Sequence, residues 1–275
     1  MGETKAVRFG IFLIPQAGDP AHLLELAALA DELGYDLVGV QDHPYQRLFL
    51  DTWTLLTAIA MRTRKITVFP DVANLPLRPP AVLAKAAASL DLLTGGRVEL
   101  GLGAGGAWDA IKAIGGPVRT PGESVSALEE AIQVIRLMWS VQRGARFDGR
   151  FYRLEGVNTG PAPAHPIGIW LGAYKPRMLS IVGRLADGWV PSLGYVQPAD
   201  LSEGNRRIDE AAQAAGRDPR AIRRVLNSGD QPVELFVELV VEHGIDTFIV
   251  SGEDPEEMRR FASEVAPAVR ESLQQ

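Results

Sequence analysis

Cysteine is absent from the 275 residues, which removes disulfides, thiolate nucleophiles, iron–sulfur clusters and cysteine-ligated zinc from consideration. Histidine is scarce as well. A metal hydrolase needs several imidazoles to converge, and with four histidines in the chain and no H-x-H pair no metal site is expected. Long apolar runs are also missing, since none approaches the roughly 20 residues that span a bilayer. The first apolar stretch, in MGETKAVRFGIFL, is too short for a secretory signal with its cleavage site. Basic residues fall short of acidic ones, 28 against 34, for a net charge of −6. Neither a nucleic-acid-binding face nor an anionic membrane partner suits that balance. The expectation is a soluble, cytoplasmic protein acting on a small molecule.

With 46% hydrophobic and 23% charged residues, the chain can bury a full core. Its length suits one α/β barrel, which typically runs to about 250 residues. Short apolar, β-branched runs alternate with stretches of helical period. Val7 to Ile14, Leu37 to Val40, Ile66 to Phe69 and Val98 to Leu102 read as the first four strands. Between them lie helices with Asp19 and Asp51 as caps, Pro79-Pro80 as an opening, and Gly34 and Gly95-Gly96 as stops. Such continuous apolar strands are buried on both faces, as in a parallel sheet. From Gly103 to Pro166 the rhythm breaks into a helix from about Glu123 to Trp139 and a hairpin turning at Asp148-Gly149. Strands five to eight follow, at Ile167 to Leu171, Trp189-Val190, Arg224 to Asn227 and Thr247 to Val250. Helices run over 200–216 and 230–243, and a last one is opened by a capping box of Asp254 and Glu257. The reading is a single (β/α)8 TIM barrel over residues 1–275, with an insertion at about 103–166 after strand four. A doubly wound open sheet is the alternative, disfavoured because no G-x-G-x-x-G follows the first strand.

In such a barrel the functional face is a ring of residues just after each strand. His43, after Gln41-Asp42, is the one histidine placed there. It can exchange a proton near neutral pH with Asp42 or another carboxylate setting its tautomer, or it can be a structural histidine bonded to a neighbouring loop. The loop Gly103, Ala104, Gly105 and Gly106 allows a flat or phosphate-bearing ligand close to the backbone. After strand five, Gly172, Ala173, Tyr174 and Lys175 lead to a helix opened by Pro176, with Arg177 adding charge. A helix N-terminus with two cations suits a phosphate, although an ordinary turn with two solvated basic residues is an equally good account of that loop alone. Tyr45, Trp108, Trp189 and Tyr195 are apolar or aromatic residues available for a pocket wall.

Four stretches together, VGVQDHPY (38–45), RPPAVLAKAAASLD (78–91), LDLLTGGRVELGLGAG (90–105) and IWLGAYKPRML…GRLADGWVP (169–191), resemble the bacterial-luciferase-like oxidoreductases, and most nearly the branch using the deazaflavin F420. The closing HGIDTFIVSGEDPEEMRRFASEVAPAVRE is similar to that family's last strand and helix. The resemblance implies a TIM barrel holding F420, or alternatively FMN, at the C-terminal mouth, with hydride passing between the ring and a small organic substrate. It implies that Asp42 and His43 lie beside the ring as catalytic residues. It also implies a bulge after strand three, at Asp71, Val72, Ala73 and Asn74, with a non-prolyl cis peptide under the ring. The loop of Gly103 to Gly106 and the loop of Gly172 to Arg177 complete the cofactor site, the second near the phosphate. A homodimer through the helices at 51–61 and 80–93 is implied too. Two other functions remain open, an FMN-dependent monooxygenase on the same scaffold and a cofactor-binding barrel without turnover. One departure bears on substrate: Gly106 stands where some sugar-phosphate dehydrogenases of the family carry an acidic residue.

Overall fold

The computed structural model describes residues 6–274; the first five residues of the N-terminal stretch read above lie outside the described residues. The first half of the chain alternates β1 (Arg8–Leu13), α1 (Pro20–Leu33), β2 (Leu37–Val40), α2 (Thr52–Arg62), β3 (Thr67–Pro70), β4 (Ala73–Asn74), α3 (Pro80–Thr94) and β5 (Leu100–Gly103). Next come α4 (Trp108–Ala113), α5 (Pro121–Trp139) and the antiparallel pair β6 (Ala145–Asp148) and β7 (Arg153–Val157). The alternation returns with β8 (Ile169–Leu171), α6 (Pro176–Leu185), β9 (Gly188–Trp189), α7 (Pro198–Ala214), β10 (Arg223–Asn227), α8 (Val233–His243) and β11 (Thr247–Ser251). The chain ends with α9 (Pro255–Arg260), a π-helical turn over Phe261–Val265, and α10 (Ala266–Ser272).

The parallel sheet runs in the order β3-β2-β1-β11-β10-β9-β8-β5-β4. It closes on itself, because Val68 of β3 also bridges in parallel to Val98, just before β5. An open doubly wound sheet has no such pairing, so the barrel reading holds. β3 and β4 are two parts of one barrel strand, interrupted at Asp71 and Val72, and the Asp71–Val72 peptide is cis. The break falls at the C-terminal end of the strand, where the functional face lies.

Hydrophobic burial is divided between two layers. Inside the barrel, Leu37, Phe69, Trp170, Val190, Val225 and Ile249 form one cluster, with Phe69 edge-on to Trp170 at 5.2 Å. Between strands and helices lies the larger core, built on residues such as Phe9, Leu56, Ile132, Ile181 and Phe236. Each such side chain is worth roughly 1.5–3 kcal/mol when fully buried. The inner cluster plugs the lumen and leaves the strand ends to form the floor of a mouth.

Several boundaries differ from the sequence reading, each for a local reason. Helix α5 starts two residues earlier than expected, because Thr120 caps the Glu123 N–H and the Glu123 carboxylate returns to the Thr120 N–H. The hairpin does not turn at Asp148-Gly149. Its loop is Gly149 to Tyr152, closed by Gly149 N–H to Tyr152 O at 3.0 Å. The Glu130 carboxylate of α5 accepts the N–H groups of Arg150, Phe151 and Tyr152. The expected Asp254 and Glu257 capping box is also absent. Asp254 accepts from the Glu256 N–H, and Glu257 pairs with Arg260 one turn on. Pro267, which lacks an N–H, accounts for the π-helical turn ahead of α10.

Candidate active site

The ends of the barrel strands enclose a cavity of about 920 Å³. Asp42, His43, Asp71, Val72, Ala73 and Asn74 line one side. Gly103, Ala104, Gly105 and Gly106 line a second, and Gly172, Tyr174, Lys175 and Arg177 a third. Of the catalytic and cofactor-site residues singled out from sequence, Ala173 is the exception. It is fully buried, and its carbonyl accepts the Trp189 indole N–H at 2.8 Å. That bond also takes Trp189 out of the wall, where it had been expected. Trp108 is not in the wall either, since its ring packs beside Gly105.

Val72 lines the cavity and packs on the inner cluster, and glycines at the strand ends approach it closely. A Cβ on Gly103 would come within 2.9 Å of Val72 Cγ2, and one on Gly101 within 3.2 Å of Cγ1. A Cβ on Gly172 would stand 3.5 Å from Cγ2. Glycine at the ends of β5 and β8 therefore leaves room for an apolar, raised platform. A flat ring can lie on such a surface without meeting a polar group it would have to desolvate.

Asp42 does something other than orient His43. Its buried carboxylate takes a two-point contact from Arg78, with Nε and Nη2 each at 2.8 Å, and a third bond from the Asn74 N–H at 2.9 Å. The same guanidinium reaches Asp51, the cap of α2, at 2.7 Å. Burial opposes the charge on Arg78, but the two carboxylates outweigh it and raise its pKa. Asp42 thus ties the strand-three bulge to the openings of α2 and α3. Removing one partner of such a buried pair strands the other's charge.

The His43 ring stacks on Tyr45, with centroids 5.3 Å apart and planes at 19°. Burial lowers its pKa, and the Asp42 charge pushes weakly the other way. The imidazole is accordingly neutral at pH 7 and can accept a proton. Asp71 departs from its ordinary value in the other direction: burial pushes its carboxyl up to about 7, with a bond from Asn227 offsetting part of the effect.

The third side is the phosphate candidate. Lys175 sits at the N-cap of α6 with no side-chain capping bond, and Pro176 follows at the first helical position. Lys175, Arg177 and Met178 line the mouth at this helix start, and a helix N-terminus favours an anion. Arg177 is partly committed, since it donates to Gly122 O at 3.0 Å and Ser126 Oγ at 2.7 Å. Those bonds bring the start of α5 into the site. Pro121, Gly122, Ser124 and Val125 of the insertion are lining residues that the sequence reading missed. The Thr120-x-x-Glu123 cap could have flagged a helix start, but nothing in the sequence says that this start faces the barrel mouth.

Residues 7–229 match the profile of the luciferase-like monooxygenases. The chain belongs to that family. One luciferase-like relative is the 5,10-methylenetetrahydromethanopterin reductase of Archaeoglobus fulgidus, 28% identical over 277 residues that cover 97% of this chain and 78% of the relative. Another is the F420-dependent glucose-6-phosphate dehydrogenase of Gordonia bronchialis, 32% identical over 234 residues, covering 81% and 68%. In shape, an F420-dependent secondary alcohol dehydrogenase solved with an F420–acetone adduct superposes with a TM-score of 0.84 at 20% identity, over 96% of this chain and 99% of that one. The long-chain alkane monooxygenase LadA also gives 0.84, at 15% identity, over 98% and 92%. Identities this low carry the luciferase-like fold and leave the chemistry to the site.

Outside the mouth, the described residues hold one cluster of metal-capable side chains, Glu238, Glu242 and His243 on α8. Two of the three are exposed, and His243 Nδ1 lies 2.9 Å from Ser202 Oγ. A second cavity of about 380 Å³ is bounded by Asn205, Arg224 and Asp246 at the N-terminal ends of the last strands, away from the functional face of the barrel.

Proposed function

We propose that this luciferase-like chain is an oxidoreductase that binds coenzyme F420 in the mouth cavity and transfers hydride between it and a small organic substrate, working in the cytoplasm as a homodimer. The observation that carries the reading is the convergence of three features on one cavity: the Val72 platform fitted by glycines, the uncapped α6 N-terminus with Lys175, and neutral His43. These suit, in turn, a flat heteroaromatic ring, its phosphate, and the proton that accompanies hydride transfer. The F420-dependent relatives support the choice of cofactor. When bound, F420 supplies a two-electron hydride donor or acceptor, and the protein supplies position and electrostatics. Asp71, Val72, Ala73 and Asn74 with Gly103 to Gly106 hold the ring, and Gly172, Tyr174, Lys175 and Arg177 hold the phosphate end. His43 takes the proton from a substrate hydroxyl, or returns it in the reverse direction, and Asp42 keeps the bulge in register through Asn74. Gly106 leaves the position after the Gly103-Ala104-Gly105 turn without a carboxylate, so sugar phosphates are not the substrates assigned here.

Separate titrations with F420 and FMN test the reading. Micromolar or tighter F420 binding with weak FMN binding is the expected result. The second reading, an FMN-dependent monooxygenase, draws on the family as a whole. It predicts the reverse preference, and rapid oxygen consumption coupled to substrate oxidation after anaerobic reduction. Binding of either cofactor with no turnover across a panel of alcohols and ketones would leave a carrier barrel.

A further inference from the structure

Asp71 is a carboxyl in a place that opposes its charge. It follows β3 on the floor of the mouth cavity, and its residue is 7% exposed. Oδ1 accepts from Asn227 Nδ2 of β10 at 3.2 Å, a bond that reaches across the mouth. Oδ2 is buried with no hydrogen-bond partner. Asn227 Nδ2 is shared with Ser192 Oγ at 3.2 Å, and Asn227 Oδ1 is itself buried without a partner. Gly39 packs against Asp71 from β2, where a Cβ would come within 3.1 Å of the Asp71 Cβ.

Among the described residues no cation lowers the pKa of the Asp71 carboxyl. Arg78 is engaged by Asp42 and Asp51, Arg177 is engaged by α5, and Lys175 belongs to the α6 opening. From the loop after β8 the titratable neighbour is Tyr174, whose phenol is raised by burial and further by Asp71 itself. A carboxyl with one neutral donor, one orphan oxygen and no countercharge holds its proton more tightly whenever water is withdrawn from it.

We propose that Asp71 is a proton-linked positioning residue of this cavity: as a ligand closes over Val72 the carboxyl takes up a proton, so binding at mildly alkaline pH draws a proton from solvent. The proposal rests on the mouth being the ligand site. A ligand on the platform displaces the remaining water above the floor, and a phosphate-bearing one adds a like charge to the cavity; both effects favour the neutral acid. Below about pH 7 the free carboxyl already carries its proton, and binding is proton-neutral at this residue. Above that, affinity falls with rising pH, by up to about tenfold per unit. His43, lowered by burial, is neutral throughout this window and adds nothing. The proton is taken from the buffer, and no redox step is involved.

Two measurements test this. In ligand-free protein labelled with carboxyl-¹³C aspartate, the resonance lost in Asp71→Asn is expected to titrate near neutral pH, and to move higher in Asn227→Ala, which removes the one bond favouring the ionised form. A transition in the ordinary aspartate range would overturn the proposal whatever the cofactor. Calorimetry with F420 and, separately, FMN at pH 8, in buffers of low and high ionisation enthalpy, is expected to show uptake approaching one proton in the wild type and none in Asp71→Asn. Equal uptake in both proteins, or none in the wild type, would overturn the coupling. If neither cofactor binds, the F420 and FMN readings fall and the coupling with them, while the carboxyl titration still reports the state of Asp71.

Discussion

His43 and Asp42 are neighbours in sequence with separate duties in space. His43 keeps its ring against Tyr45 on the cavity wall, while Asp42 spends its carboxylate on Arg78 and the Asn74 N–H. The pH dependence follows from the lowered His43 pKa. A neutral imidazole accepts the substrate proton, so at saturating cofactor kcat/KM in the oxidising direction should stay level through the ordinary histidine range and fall only at pH below it. His43→Gln should lower kcat by about 10²–10⁴ and abolish that acid limb; an unchanged pH profile would remove His43 from the proton path. The Asp-His pair was legible in the sequence because it follows a strand. Arg78 was not legible as its partner, since the pairing joins positions 36 residues apart through a bend that only the folded bulge defines.

At the scale of elements, the site depends on how closely strand ends approach one another. The platform requires β5 to pass the bulge between β3 and β4 with no side chain at Gly103. Gly103→Val should force Val72 aside, lower cofactor affinity at least tenfold, and leave the thermal midpoint nearly unchanged. Loss of the fold instead would show that Gly103 serves packing alone. The cis peptide at Asp71–Val72 fell where the family resemblance had put it, because the resemblance ran through the flanking motifs in order. The α5 opening escaped notice for the opposite reason. Its cap was readable as local chemistry, but its arrival at the mouth is settled by the Arg177 bonds to Gly122 and Ser126.

Across the whole molecule, the outward faces of α2 and α3 carry exposed Met61, Val82 and Leu93. These are the helices through which we propose the homodimer. Leu93→Lys together with Val82→Lys should halve the solution mass measured by light scattering and leave the far-UV spectrum intact. A wild type that is already monomeric would discard this interface. Among the described residues no helix is long and apolar enough to cross a membrane.

Closure into a barrel was decided by the parallel bridge between Val68 and Val98, whereas the alternation of strands and helices was settled by the sequence alone, because its determinants are periodic and local: buried β-branched runs, helices bounded by Asp, Pro and Gly, and a repeat matching one strand and its crossover helix. So was the family, because its motifs recur in order along the chain. Tertiary structure decided which of the residues at the strand ends share a cavity, that Ala173, Trp108 and Trp189 turn away from it, and that Asp71 meets Asn227 across the mouth. Those outcomes depend on burial and on distances between segments far apart in the chain. Desolvation, which makes the Asp71 carboxyl a weak acid and keeps His43 neutral, exists only once the barrel has closed.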